Sequence, residues 1–395
     1  MKAIVIGAGI AGLVVARQLG LAGWEVELLE KSPGPRRDGY MMDFFGPGVE
    51  ASERIGLYAR LAAAAYRVQA VEYVDPAGRK TARLDYRKFS RLAGGKVLSL
   101  LRPDIERAAL DALDDVPAGR VRIHYRAQAT RMRVENHGVS VTVNGSPDAQ
   151  VDADVLIGAD GIHSGVRADL FGLERQYLRP LGMRAAAFIA PDAELHARFE
   201  NRFVLTDSIG RTAGFYGVGT NEVAAFLVYR DSPEHLDGPG SDSPRERLRR
   251  EFTGLGASVD RLLDLCPEHP YDDIVAQILM PTWTRRRVVL VGDASGAVSL
   301  LAGQGGSLAI AGAALLGEIL GPVDTPGDIT PALVAFEQRW RPVVEAAQAS
   351  GRRAASTFLP ANRAQRFLRR WVIRGTAVPG IDRLVARQIL RSIAT

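Results

Sequence analysis

The apolar positions at the start of the chain change period twice before Lys31. Ile4–Val5–Ile6 is a short β-branched run, residues Ile10 to Ala22 repeat at helical spacing, and Val26–Glu27–Leu28–Leu29 returns to a buried strand. Gly23 closes the helix between them. The pattern predicts a βαβ unit beginning at residue 2.

Further along, β-structure is expected from Val121 to Val143 with a turn at Asn136–His137–Gly138, and another strand at Asp154–Gly158. From Leu181 to Arg230 the chain alternates like an antiparallel sheet, followed by a polar Gly/Pro-rich loop over Ser232–Pro244. This block lacks the βα alternation of the start, which argues for a separate domain. A strand returns at Arg287–Val291, then a glycine-rich turn and a small-residue helix at Leu308–Leu320. Beyond Thr330 the pattern is helical, with expected interruptions at Pro342, Pro360 and Pro379.

Composition narrows the class. With 395 residues, 47% of them hydrophobic, the chain can fill two or three cores, and disordered, collagen-like or coiled-coil readings fail. The single thiol, Cys266, cannot form an internal disulfide, and no Cys/His set has zinc-ligand spacing, so no metal is expected and a reducing cytoplasm fits. The most apolar stretches, Ile4–Val15 and Val288–Leu320, are broken by glycines or polar residues; neither a membrane span nor an export signal is read. The six histidines read as surface or strand residues, and Asp272–Asp273 as a turn. The segment Arg363–Arg391 carries eight arginines and one acid with an apolar stripe around Trp371; it reads as a helix packing its stripe on the protein, not as a nucleic-acid site.

The 41 glycines carry more information than the net charge of +5, because they cluster where backbone must approach something closely. Gly7-x-Gly9-x-x-Gly12 follows a strand and opens a helix. Gly7 permits the tight turn, Gly9 lets a pyrophosphate reach the backbone, and Gly12 lets helix and sheet touch. Ala11 lies inside this turn, Glu30 ends the second strand where a carboxylate can accept ribose hydroxyls, and Lys31 follows it. The motif predicts an adenine dinucleotide site.

Two later segments choose the dinucleotide by resemblance. Asp154–Val155–Leu156–Ile157–Gly158–Ala159–Asp160–Gly161 through Arg167 resembles the Asp-Gly motif of class A FAD-dependent monooxygenases, the para-hydroxybenzoate hydroxylase-like family, and Arg287–Ala294 resembles their Gly-Asp motif. The segment Arg36–Phe44 looks like that of the tetracycline-inactivating flavin monooxygenases. The resemblance implies that Asp293 holds the ribityl chain of FAD and that Asp160 and Gly161 lie near FAD and the nicotinamide path. It further implies that Arg36 contacts NADPH (or NADH), that Asp43 lies at the flavin, that Arg102 meets FAD phosphates or the ring edge, and that Gly305 and Gly306 face the flavin pyrimidine edge. Where the family usually shows a Pro-Pro pair, this chain has Ser299–Leu300.

The implied fold class is α/β: a Rossmann-like FAD-binding domain assembled from residues 1–68, 97–174 and 281–335, an inserted antiparallel β-sheet substrate domain from 69–96 and 175–280, and a helical C-terminal segment over 336–395. The implied activity is NAD(P)H- and O2-consuming oxygenation of a hydrophobic, polycyclic or polyketide-like small molecule through a flavin C4a-hydroperoxide, by a monomer or homodimer. Met42, Phe45, Phe215, Tyr216 and Tyr229 are the expected substrate-binding residues, and no catalytic side chain is assigned. The alternatives are a flavoprotein using FAD structurally for a non-redox rearrangement or cyclisation, and a non-enzymatic binding protein on the same fold.

Overall fold

The computed structural model describes residues 1–36, 39–86, 90, 95–144, 150–231 and 243–367. Most of the basic C-terminal segment therefore lies outside the described residues.

In chain order, β1 (Lys2–Ile6), α1 (Ile10–Leu21) and β2 (Glu25–Glu30) form the expected βαβ unit. A short strand β3 (Met41–Phe44) leads into α2 (Pro47–Arg54) and α3 (Tyr58–Ala63), then the hairpin β4 (Ala70–Val74) and β5 (Lys80–Asp85). The chain returns through β6 (Leu98–Leu101) to α4 (Arg102–Asp111) and β7 (Val121–Tyr125). A meander of β8 (Ala129–Val134), β9 (Val139–Val143) and β10 (Gln150–Ala153) precedes β11 (Val155–Gly158) and α5 (Gly165–Leu170).

The long strand β12 (Leu178–Pro191), α6 (Ala193–Phe199), β13 (Arg202–Ser208), β14 (Arg211–Val218) and β15 (Glu222–Arg230) follow, then α7 (Pro244–Phe252), α8 (Ala257–Asp264) and β16 (Tyr271–Ile278). The last part holds β17 (Thr284–Arg285), β18 (Val288–Leu290), α9 (Asp293–Gly296), α10 (Gly305–Leu320) and α11 (Ile329–Phe358).

These elements make two principal sheets and an α/β protein. The first, in order β17-β18-β11-β1-β2-β7, is parallel except at β17. Its inner strands β1, β11 and β18 read as continuous apolar runs and are buried on both faces, whereas β2 and the edge strand β7 carry polar residues at alternate positions. The second, in order β16-β12-β15-β14-β13-β4-β5, is antiparallel apart from the β13–β4 pair. The ribbon β3–β6 runs between them, with Asp43 opposite Ser99.

The second sheet has two distinct faces. Phe188, Phe215, Leu227 and Tyr229 pack with Leu248, Phe252 and Leu262 of α7 and α8. The alternate residues Tyr216, Val218 and Ala224 pack with Leu101 and Met41 of the ribbon. The period of two along the strands decides which side chains can reach the first sheet.

Two sequence expectations change. Helix α11 runs through Pro342 without a break. Pro342 has no N–H to donate, but Phe336, Trp340 and Val344 on the buried face anchor the helix on both sides of it. Asp272–Asp273 is not a turn: both residues lie in β16, where Asp272 is clamped by Arg184 at 3.1 Å and by Arg247.

Candidate active site

The C-terminal ends of β1, β2, β11 and β18 converge, the crevice where ligands bind in open parallel sheets. Gly7 adopts φ +103°, and a Cβ there would lie 2.6 Å from the Ala159 carbonyl oxygen. At Gly12 the added atom would sit 1.9 Å from the Gly7 carbonyl oxygen, so any side chain would push α1 away from the turn. Gly9 caps α1, and a Cβ there would meet only Arg102 Nη2, at 3.9 Å. The turn is thus tight on its protein side and open on the other, which suits a pyrophosphate at a helix N-terminus. Ala11 is buried, and its Cβ lies where Gly292 must lack one.

Glu30 braces this turn. Its carboxylate accepts the Ala8 N–H at 2.9 Å and the Ser32 N–H at 2.8 Å. Burial opposes its ionisation, but those hydrogen bonds and the charge of Arg36 outweigh burial and hold its pKa below the usual value. Lys31 and Arg36 beside it are exposed.

Asp293 begins α9 behind Gly292, which takes φ +65°. Solvent reaches its carboxylate, yet protein surrounds it, so burial pushes its pKa up while Arg102 pulls it back. Among the described residues it has no hydrogen-bond partner. Arg102, at the start of α4, is itself held by Glu106, 3.3 Å away and only 4% exposed. Glu106 also accepts the Arg36 N–H at 3.3 Å. Sequence reasoning missed Glu106, although its i,i+4 spacing from Arg102 was the available signal.

Asp160 sits differently from Asp293. Its oxygens accept the Ser164 hydroxyl and the Val166 N–H, so the carboxylate is spent on the first turn of α5, and Gly161 presents backbone at φ +84°. Arg167 ties this motif to the next: fully buried, it donates to the carbonyls of Ile162 and Ala294 and pairs with Glu174 at 3.1 Å.

The N-terminus of α10 completes the cleft. A Cβ on Gly305 would meet nothing within 4 Å, whereas one on Gly306 would lie 2.6 Å from Met42 Sδ. Ser307 donates to the Phe45 carbonyl at 2.6 Å and accepts the Gly48 N–H at 2.9 Å, fixing α10 to the turn between β3 and α2. Asp43 accepts the Tyr86 and Ser99 hydroxyls, and burial raises its pKa against those hydrogen bonds. The preceding loop holds Ser299 at φ +87°, the left-handed region that favours glycine.

An aromatic wall faces these groups. Tyr40 packs against Phe226 at 5.3 Å between ring centroids and Tyr271 at 6.1 Å. Burial pushes the Tyr40 hydroxyl up to about 12, with Arg102 lowering and Asp293 and Asp273 raising it, so the wall lies within electrostatic reach of the cleft. None of these three aromatics was expected. Of the five residues expected to bind substrate, Met42 lies under Gly306, Phe45 fastens α10, and Tyr216 faces the ribbon and accepts the Met41 N–H. Phe215 and Tyr229 are corrected: they face α7 and α8 on the other side of the sheet, because a strand turns alternate side chains to opposite faces.

The residues fit FAD. A pyrophosphate turn open on one side, an unpartnered carboxylate within hydrogen-bonding depth of a cleft, a nearby arginine and a bare glycine edge match phosphate, ribityl chain and flavin ring. This is the arrangement of a flavoprotein. A family profile described as FAD binding domain matches residues 1–349, and the chain belongs to that family. An uncharacterized protein of Mycobacterium tuberculosis is 34% identical, with 80% of this chain and 84% of that protein covered. A flavin-dependent monooxygenase from an unknown prokaryotic organism is 30% identical, with 91% and 90% covered. The solved structure of tetracycline destructase Tet(55) superposes with a TM-score of 0.77 at 27% identity, covering 95% of this chain and 96% of that one. The protein is an enzyme, an FAD-dependent monooxygenase. The binding-protein alternative falls.

Proposed function

We propose that this enzyme consumes NAD(P)H and O2 to oxygenate a hydrophobic, polycyclic or polyketide-like small molecule held between the cofactor cleft and the second sheet. The observation that carries this reading is the aromatic wall of Tyr40, Phe226 and Tyr271, joined to the cleft where the Arg102 N–H donates to the Tyr40 carbonyl at 3.0 Å. When bound, FAD supplies the electron store and the oxygen-activating centre. The chain supplies everything else. Gly7–Gly12 and α1 would hold the pyrophosphate, Asp293 the ribityl hydroxyls, and Arg102 the phosphates or ring edge. Arg36 and Lys31, exposed beside Glu30, are the cations available to the nicotinamide dinucleotide. The apolar wall orients the substrate and keeps water from the reacting atoms. The similarity to a tetracycline destructase supports a polycyclic substrate.

The test is a screen of FAD-loaded protein against polycyclic aromatic and polyketide compounds. A substrate should accelerate NADPH oxidation and carry one oxygen atom from labelled O2 in its product. Ser299 at φ +87°, in place of the family's proline, favours one second reading, in which FAD serves structurally in a non-redox rearrangement. That reading prevails if a compound is converted with no NADPH consumed and no label incorporated.

A further inference from the structure

A cavity of about 300 Å3 opens on the face of the second sheet turned away from the cofactor cleft. It lies between the β4–β5 hairpin, α6 and the first turn of α8. Its floor is apolar: Phe199 and Phe215 stack with ring centroids 5.7 Å apart, flanked by Val204 and Val259. Its rim is charged, with Lys80, Arg198 and Arg202 against Glu72 and Asp75.

Those charges are not equally committed. Glu72, 4% exposed, is engaged by Lys80 at 2.7 Å and by Arg202 at 3.9 Å. Asp75 is held by Arg79 at 2.8 Å. Arg198 makes no ion pair among the described residues. It donates to the Ser258 hydroxyl at 3.2 Å, its guanidinium carbon stands 6.0 Å from the Phe199 ring, and its Nη2 lies over Gly78, where a Cβ would come within 2.6 Å. The cation without a counter-charge therefore stands at the seam between the aromatic floor and the polar rim. The positive end of α8, at Ala257 and Ser258, adds to the same field.

We propose that this cavity is a second ligand site, separate from the cofactor cleft, for a small aromatic carboxylate. The ring occupies the apolar end of the cavity, which Phe199, Phe215, Val204 and Val259 close, and the carboxylate pairs with Arg198. The volume is at the small end of ligand pockets and holds one or two fused rings. A planar guanidinium that already abuts an aromatic ring is suited to carboxylates and π-faces together.

The experiment titrates FAD-loaded protein with 2-naphthoate by calorimetry, using 2-naphthamide as the uncharged analogue. Saturable binding of one naphthoate per chain is expected, at least tenfold tighter than naphthamide. Arg198→Gln should weaken it at least tenfold and Ala257→Trp, which fills the mouth, should abolish it. Both positions are solvent-exposed, and unchanged flavin content reports that each variant is folded. Absence of saturable binding overturns the proposal. So does naphthoate affinity undiminished in both variants, which places the compound elsewhere, and affinity equal to that of naphthamide overturns the role of the cation.

Discussion

At the residue scale, the cleft distinguishes carboxylates that brace backbone turns from one with no protein partner among the described residues. Glu30 and Asp160 use their oxygens on backbone N–H groups of the turns they support, whereas Asp293 has no partner of its own among the described residues. Exposed to the cleft, it is available to a ligand's hydroxyl groups. Asp293→Ala is expected to weaken FAD binding about 10- to 100-fold, the worth of a charge-assisted hydrogen bond, as read from flavin content after dialysis. Retained flavin would refute the assignment. Arg167 plays the opposite part, since its contacts are internal and bridge two motifs that sequence shows only as separate segments. Arg167→Met should cost roughly 3 kcal/mol by leaving buried carbonyls unpaired, seen as a lowered midpoint in urea.

At the scale of elements, two contacts set how the pieces meet. Helix α1 touches the Gly7 turn so closely that Gly12→Ala must move it, and that variant should lose both flavin and thermal stability. His163, which sequence suggested was a bland surface residue, joins α5's entry turn to β16. It bonds Glu174 at 3.0 Å and Asp273 at 3.1 Å. The Asp273 hydrogen bond is the main cause of a pKa raised to about 9, working against burial. A raised pKa stabilises the fold below the unfolded value near 6.5, and that stabilisation fades as pH climbs through about 9. The side chain is half exposed, so the effect is small. His163→Gln should therefore lose less Tm than the parent between pH 6.5 and 9.5, measured by a thermal melt at each pH; parallel curves would contradict this.

At the scale of the whole molecule, a buried amide pair stitches the long C-terminal helix to the second sheet and to the segment that follows α9. Gln348 donates to the carbonyls of Ile278 at 2.7 Å and Ala297 at 3.1 Å, while Gln277 donates to those of Val298 at 3.0 Å and Gln348 at 2.8 Å. Gln348→Leu should cost about 1–3 kcal/mol in unfolding free energy and loosen flavin retention, because the Ile278 carbonyl loses its side-chain donor and that of Ala297 keeps only the Ile278 N–H at 3.2 Å. No helix of the described residues is long and apolar enough to cross a membrane. The sequence by itself determined the βαβ start, the glycine turn, and the separation of a β-rich block from it, because period and glycine placement are local properties that survive in one dimension. Its resemblance to family motifs also singled out Asp293 and Arg102 as candidates for cofactor contact. The tertiary structure alone decided which carboxylate is free, that Tyr40, Phe226 and Tyr271 form one wall, and that Phe215 and Tyr229 face away from it. Those answers depend on strand register and on contacts across long sequence separations, where a shift of one residue reverses the face a side chain presents.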